Sequence, residues 1–201
     1  MPNVTDVYLG NGAFDYKDDV AIIGGTHFIP LSRIDIGHLF VYFDIFTSEM
    51  YEYCINLLRG SNEVTELVIG SSTCQFANVT LFDLSVFPSV KTLSIGSNAL
   101  SYVSVLNITG LNKLESVVIG ENSFTKKKNS YGNDPNRHFY LKNCPKMKSL
   151  KMGRYSFSDY TVFEIENVDA LEVIEMGVLP YGSDNFDYAS LELKSTLIHR
   201  E

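Results

Sequence analysis

Leu93-Ser94-Ile95-Gly96-Ser97-Asn98-Ala99-Leu100 returns one unit later as Val117-Val118-Ile119-Gly120-Glu121-Asn122-Ser123-Phe124, and again as Leu150-Lys151-Met152-Gly153-Arg154-Tyr155-Ser156-Phe157. The core of the phrase is an aliphatic residue, any residue, a second aliphatic residue, then glycine. Four further copies end at Gly10, Gly37, Gly70 and Gly177. Self-similarity at a near-constant period predicts a stack of coils rather than one globule. The repeating unit is about 24 residues, lengthened twice by about nine.

Aligning the copies on their glycines exposes further apolar columns. Six positions before the glycine stand Leu31, Val64, Val90, Leu114, Met147 and Leu171. Fourteen before it stand Ile23, Phe82, Leu106, Phe139 and Phe163, and twelve before it Leu58, Leu84, Ile108, Leu141 and Ile165. Four after it come Phe14, Val41, Cys74, Leu100, Phe124, Phe157 and Tyr181. Alternation inside the phrase, and again in pairs such as Phe139-x-Leu141, has the period of a strand with one buried face. Each coil is thus expected to carry two short strands, with the glycine at a bend where a side chain would collide. Pro88 and Pro145 mark the connector, and Gly110, Asn143 and Asn167 share a turn column. Leu191 and Leu193 fit the second-strand columns of an eighth unit. The array is therefore expected to stop in mid-coil, either as a piece of a longer array or with bare ends open to docking.

These columns resemble the leucine-rich-repeat family, most closely its BspA-like class, on the string apolar-x-Ile-Gly followed by x-x, a small residue and an aromatic or aliphatic one. The resemblance implies a right-handed solenoid with a parallel sheet whose exposed strand faces contact other macromolecules. The fold expectation is an α/β-class leucine-rich-repeat solenoid of about seven coils, mainly short parallel strands and loops with little helix. It spans 1–201 as one domain, with insertions near 40–56 and 125–137. In the first insertion, Thr47 or Ser48 is placed to cap a short helix running toward Leu58.

Composition agrees with an ordinary folded protein: 201 residues, 45% hydrophobic and 20% charged. No run of 18 apolar residues occurs, so no membrane insertion is expected. Met1-Pro2-Asn3-Val4-Thr5-Asp6 lacks the basic and apolar regions of a secretory signal, which favours an intracellular setting. A net charge of −8 argues against nucleic acid as a partner, because phosphate contacts need clustered cations. Three cysteines without a CxxC are expected to be reduced structural thiols, Cys74 filling a core column. Asn3, Asn78 and Asn107 head Asn-x-Thr sequons at about the frequency that chance gives for this composition, so they say nothing of export by themselves. Asn107, between inward Leu106 and Ile108, is expected to point outward and to accept a glycan if the protein is exported.

No catalytic constellation is present: no HExxH, no GxSxG, no phosphate loop, and no cofactor or metal is expected. The function expected is therefore a non-catalytic protein-recognition or scaffold module with a protein partner. The alternatives are a structural spacer in a larger surface or cytoskeletal protein, and a regulatory segment of an enzyme whose catalytic part lies elsewhere. The second insertion supplies candidate binding residues, Lys126, Lys127, Lys128, Tyr131 and Arg137, in a stretch of four basic residues against one acidic. End-to-end association through uncapped termini is a further partner reading.

Overall fold

The computed structural model describes residues 38–41, 62, 64–126, 134–177 and 182–195, the first of these segments as backbone only. Among the described residues eleven strands are present: β1 His38–Val41, β2 Glu66–Ile69, β3 Leu81–Asp83, β4 Thr92–Ile95, β5 Val105–Thr109, β6 Ser116–Ile119, β7 His138–Lys142, β8 Ser149–Met152, β9 Val162–Glu166, β10 Val173–Met176 and β11 Ser190–Lys194. They alternate between two parallel sheets, ordered β1-β2-β4-β6-β8-β10 and β3-β5-β7-β9-β11. The molecule is a parallel β-solenoid of about five coils. Among the described residues the only helical element is a 3-10 turn at Leu84–Val86. The expected parallel solenoid of short strands with little helix is thus present among the described residues, and the coils expected before Gly37 lie outside them. The strands come from the alternating segments, and no described stretch has the 3.6-residue periodicity that would bury a helix against them.

The apolar columns are the core. Leu67, Leu93, Val117 and Leu150 stand in register on neighbouring strands, as do Ile69, Ile95, Ile119 and Met152. Phe82, Leu106, Phe139 and Phe163 do the same in the second sheet, and all of these side chains are buried. The column after the glycine forms a third ladder, in which Leu100, Phe124 and Phe157 each donate a backbone N–H one coil back, to Thr73, Ala99 and Ser123. Phe124 and Phe157 stack with centroids 4.8 Å apart, near the spacing of adjacent strands. Phe14 and Tyr181 of that column lie outside the described residues. At the last coil Phe186 continues the ladder, stacked 5.0 Å from Phe157. The string Gly182-Ser183-Asp184-Asn185-Phe186 repeats the phrase five residues later than alignment on Gly177 implies. A second shift occurs at β1. Leu39 and Val41 pair with Leu67 and Ile69, where alignment on Gly37 expects Ile34 and Ile36.

The connectors use one device repeatedly. Val90 donates to the Phe87 carbonyl and Met147 to the Cys144 carbonyl, closing turns with Pro88 and Pro145 at the second position. Proline's fixed φ suits that position. Gly110, Asn143 and Asn167 share positive φ, as their turn column anticipates. Less expected is a double left-handed corner in every coil. Ser72, Asn98, Asn122, Tyr155 and Asp184 have positive φ, and so do Cys74, Leu100, Phe124, Phe157 and Phe186 two residues later. Such conformations cost of order 1 kcal/mol or more each for bulky residues. Ladder hydrogen bonds on both sides hold them in place, with Ser72, Asn98, Asn122 and Tyr155 donating forward to Ser97, Glu121, Arg154 and Ser183.

Between these two corner positions lies a small residue whose role is polar. The buried Ser123 and Ser156 hydroxyls donate to the Gly96 and Gly120 carbonyls at 2.7 and 2.6 Å, and Asn185 Nδ2 reaches the Gly153 carbonyl at 2.8 Å. The glycine itself is required by close approach. A Cβ on Gly120 would sit 2.5 Å from Ser97 N and 2.6 Å from the Gly96 carbonyl carbon. Gly120→Ala should therefore destabilise by about 2–3 kcal/mol, as overpacking against backbone does. Gly110→Ala, where space is open but φ is +74°, should lose only about 1 kcal/mol. Denaturant midpoints of the two variants check the ranking.

Cysteine chemistry departs from expectation. Cys74 is disulfide-bonded rather than a reduced thiol, while Cys144 is free and buried, its pKa pushed up by burial. Cys54 and the proposed helix after Thr47 or Ser48 lie outside the described residues.

Candidate recognition surfaces

Three parts of the surface are candidates, and each follows from the way the coils stack. The first is the outer face of the six-stranded sheet. Alternation sends Glu66, Thr92, Ser116 and Ser149 outward in one column and Val68, Ser94, Val118, Lys151 and Glu175 in the next. Its middle is made of small residues, polar except for the exposed Val118, and Lys151 pairs with Glu175 at 3.0 Å. The outer face of the second sheet is ionic toward the C-terminal coils. Lys142 Nζ lies 2.8 Å from Glu164 and 3.5 Å from Glu166, and Lys194 bridges Glu164 at 3.0 Å and Glu192. Hydrogen bonds from Lys142 and Lys194 hold the Glu164 carboxyl below its ordinary pKa. These charges are satisfied among themselves, so the second face offers little uncompensated field to a partner.

The second candidate is the root of the excursion between Phe124 and His138. Lys126 keeps its ammonium outward, 5.2 Å from the centre of the Tyr102 ring, while its backbone N–H donates to Asp159 Oδ2 at 3.2 Å. Lys127, Lys128 and Tyr131 lie outside the described residues. Arg137 does not join Lys126 on the surface: its side chain is fully buried. Its NH2 group donates to the carbonyls of Phe124 at 2.8 Å and Ser101 at 3.0 Å, and its guanidinium lies over the Tyr160 ring at 4.8 Å. Arg137 Nε and Asp159 Oδ1 are 3.2 Å apart, an ion pair by distance. That N–H does not point at the carboxylate, and Nε and Oδ1 form no hydrogen bond among the described residues. Tyr160 closes the cluster by donating to the Val103 carbonyl at 2.7 Å, and burial keeps its phenol protonated with a strongly raised pKa.

The reading of Arg137 as part of a solvated basic contact is therefore corrected. A cation surrounded by a carboxylate, two carbonyls and an aromatic face loses less on burial than one surrounded by apolar groups. Asp159 also accepts Asp134 N–H at its backbone carbonyl. One residue thus holds both stems of the excursion. Asp159 and Tyr160 fall between the apolar columns, and nothing in their spacing marks them. The available signal was Arg137 itself, a cation directly before the strand pair Phe139-x-Leu141.

The third candidate is the open flank of the last described coil. Ile174 and Met176 are 37% and 38% exposed, and Leu191 and Leu193 are 51% and 64% exposed, although each occupies an inward column. Their counterparts one coil back, Leu150, Met152, Phe163 and Ile165, are buried. A groove of about 520 Å³ runs between β10 and β11, lined by Ile165, Val168, Leu171, Ile174 and Leu193. Leu191 and Leu193 stand in the second-strand columns expected for them, paired with Phe163 and Ile165.

Among the described residues no group of three or more His, Cys, Asp or Glu side chains is placed to hold a metal ion. No described helix is long and apolar enough to cross a membrane. No protein-family model, curated protein or solved structure matches the chain.

Proposed function

We propose that this chain is a non-catalytic protein-recognition or scaffold module of leucine-rich-repeat type, and that its partner is a protein. The observation that carries the reading is the apolar flank of β10 and β11, exposed among the described residues. Contiguous exposed apolar side chains beside a free strand edge are what interaction sites present, and isolated monomers seldom keep them. The sealed core behind them supports a rigid surface, which lowers the ordering cost of binding. Lys126, together with Lys127, Lys128 and Tyr131 of the same basic stretch, is kept in the reading as a charged contact, since charge sets encounter rate more than affinity.

Leu193→Lys and Ile174→Lys test it, because both side chains reach solvent, Leu193 more than Ile174. In affinity capture from the native cells, either change should weaken retention of the specific partner at least about tenfold, equivalent to one modest hot spot. Charge reversal at Lys126, Lys127 and Lys128 should slow association and steepen with falling salt. Unchanged capture in every variant would leave a spacer as the better account. Among the described residues β10 and β11 each pair on one side. This favours a second reading, end-to-end association of copies, which concentration-dependent sedimentation would reveal and Leu193→Lys would abolish.

A further inference from the structure

We infer that Asn78 is an acceptor of an N-linked oligosaccharide. The sequon Asn78-Val79-Thr80 is presented by a turn in which Val79 N–H donates to the Phe76 carbonyl at 2.9 Å, with Ala77 and Asn78 at its apex. Asn78 and Thr80 are both exposed, while Val79 between them is buried and fixes the tripeptide to the solenoid. Beside them is a depression of about 250 Å³ lined by Asn78, Val79, Thr80, Leu81 and Asp83. Exposed Leu81 gives the first sugar an apolar ledge.

The second observation is chemical. Cys74, on the same connector, is disulfide-bonded. Disulfides persist in oxidising compartments, which in eukaryotic cells are those where N-glycans are attached. The disulfide supplies the route on which the sequon, silent about export by itself, can be used, and it weighs against the intracellular setting that the opening residues suggested.

The other described sequon is built differently. Asn107 lies in the middle of β5, paired on one side with Asp83 and on the other with Tyr140. Its Nδ2 donates to Asp83 Oδ1 at 3.0 Å and its Oδ1 accepts from Thr109 Oγ1 at 2.6 Å. A glycan there would stand between neighbouring strands about 4.8 Å away and disturb that pairing. In the transfer, Asn78 Nδ2 bonds to the anomeric carbon of the donor sugar. The bond from that carbon to a polyprenyl diphosphate breaks, the diphosphate leaves with the electron pair, and an amide proton passes to a base of the transferase.

Peptide mass spectrometry of the mature protein from its native cells tests the assignment. Treatment with a peptide-N-glycosidase should convert position 78 from glycosylated Asn to Asp, with a single step in gel mobility. Mature protein carrying unmodified Asn78 would overturn it. A second arm expresses the full chain behind a secretion leader in eukaryotic cells. Asn78→Gln and Thr80→Ala should each remove one glycan, and Asn107→Gln should remove none. Loss of the glycan only with Asn107→Gln, or in none of the three, would sink the proposal. Neither arm depends on the protein-recognition reading.

Discussion

Arg137→Ala or Asp159→Ala is expected to destabilise the protein by about 3–5 kcal/mol, the range for leaving one partner of a buried ion pair uncompensated. Each removal strands something different. Without Asp159 the guanidinium keeps only the Ser101 and Phe124 carbonyls and the Tyr160 ring, and Lys126 N–H loses its acceptor. Without Arg137 those two carbonyls lose their donor, and the Asp159 carboxylate keeps only the Lys126 N–H and no cation. Replacing both residues by apolar groups of similar volume, Arg137→Met with Asp159→Leu, should recover much of the loss, because no charge then remains to be solvated. Chemical denaturation of the three variants separates the possibilities. A loss within about 0.5 kcal/mol for Arg137→Ala is what a solvated side chain would give, and it would restore Arg137 to the basic surface patch.

The second large effect belongs to Phe157. Its ring stacks on Phe124 at 4.8 Å, Phe139 at 5.1 Å and Phe186 at 5.0 Å, and meets Tyr160 edge-on at 4.9 Å. Phe157→Ala should therefore cost about 3–5 kcal/mol, as emptying a buried aromatic site does. Alanine bears the left-handed backbone at this position no better than phenylalanine, so the change reports packing rather than conformation. Ser94→Ala, on the outer face of β4, should fall within about 0.5 kcal/mol. Each coil touches its neighbours, so the Phe157 variant is also expected to loosen the C-terminal coils first. Hydrogen exchange would show protection falling in β9 to β11 before β2 to β4.

Much of this architecture could be read from residues because inward positions must be apolar in every coil. That constraint made the ladders from Leu67 to Leu150 and from Phe82 to Phe163 legible, together with the proline turns and the fit of Leu191 and Leu193. What failed were places where two stretches satisfy the same constraint. Ile34-x-Ile36 and Leu39-x-Val41 both alternate, so only strand pairing decides between them. Gly177 and Gly182 both precede a plausible corner, and the aromatic stack selects the later one. Burial of Arg137 escaped notice for another reason. A charge inside a core is tolerable only through long-range partners, and Asp159 and Tyr160 lie 22 and 23 positions further on, with nothing local to reveal them. The disulfide of Cys74 was hidden by the odd count of three cysteines. The candidate surface on β10 and β11 was readable as columns, but its exposure depends on what stands beside it.

Asp159 grips the chain on either side of the excursion, and the strands beyond keep their pairing although this unit is about nine residues longer than its neighbours. Length is thus cancelled locally, before it can propagate as a phase error along the stack. Excursions of other lengths should therefore be accepted at this corner, whereas replacement of the carboxylate that brackets it should not.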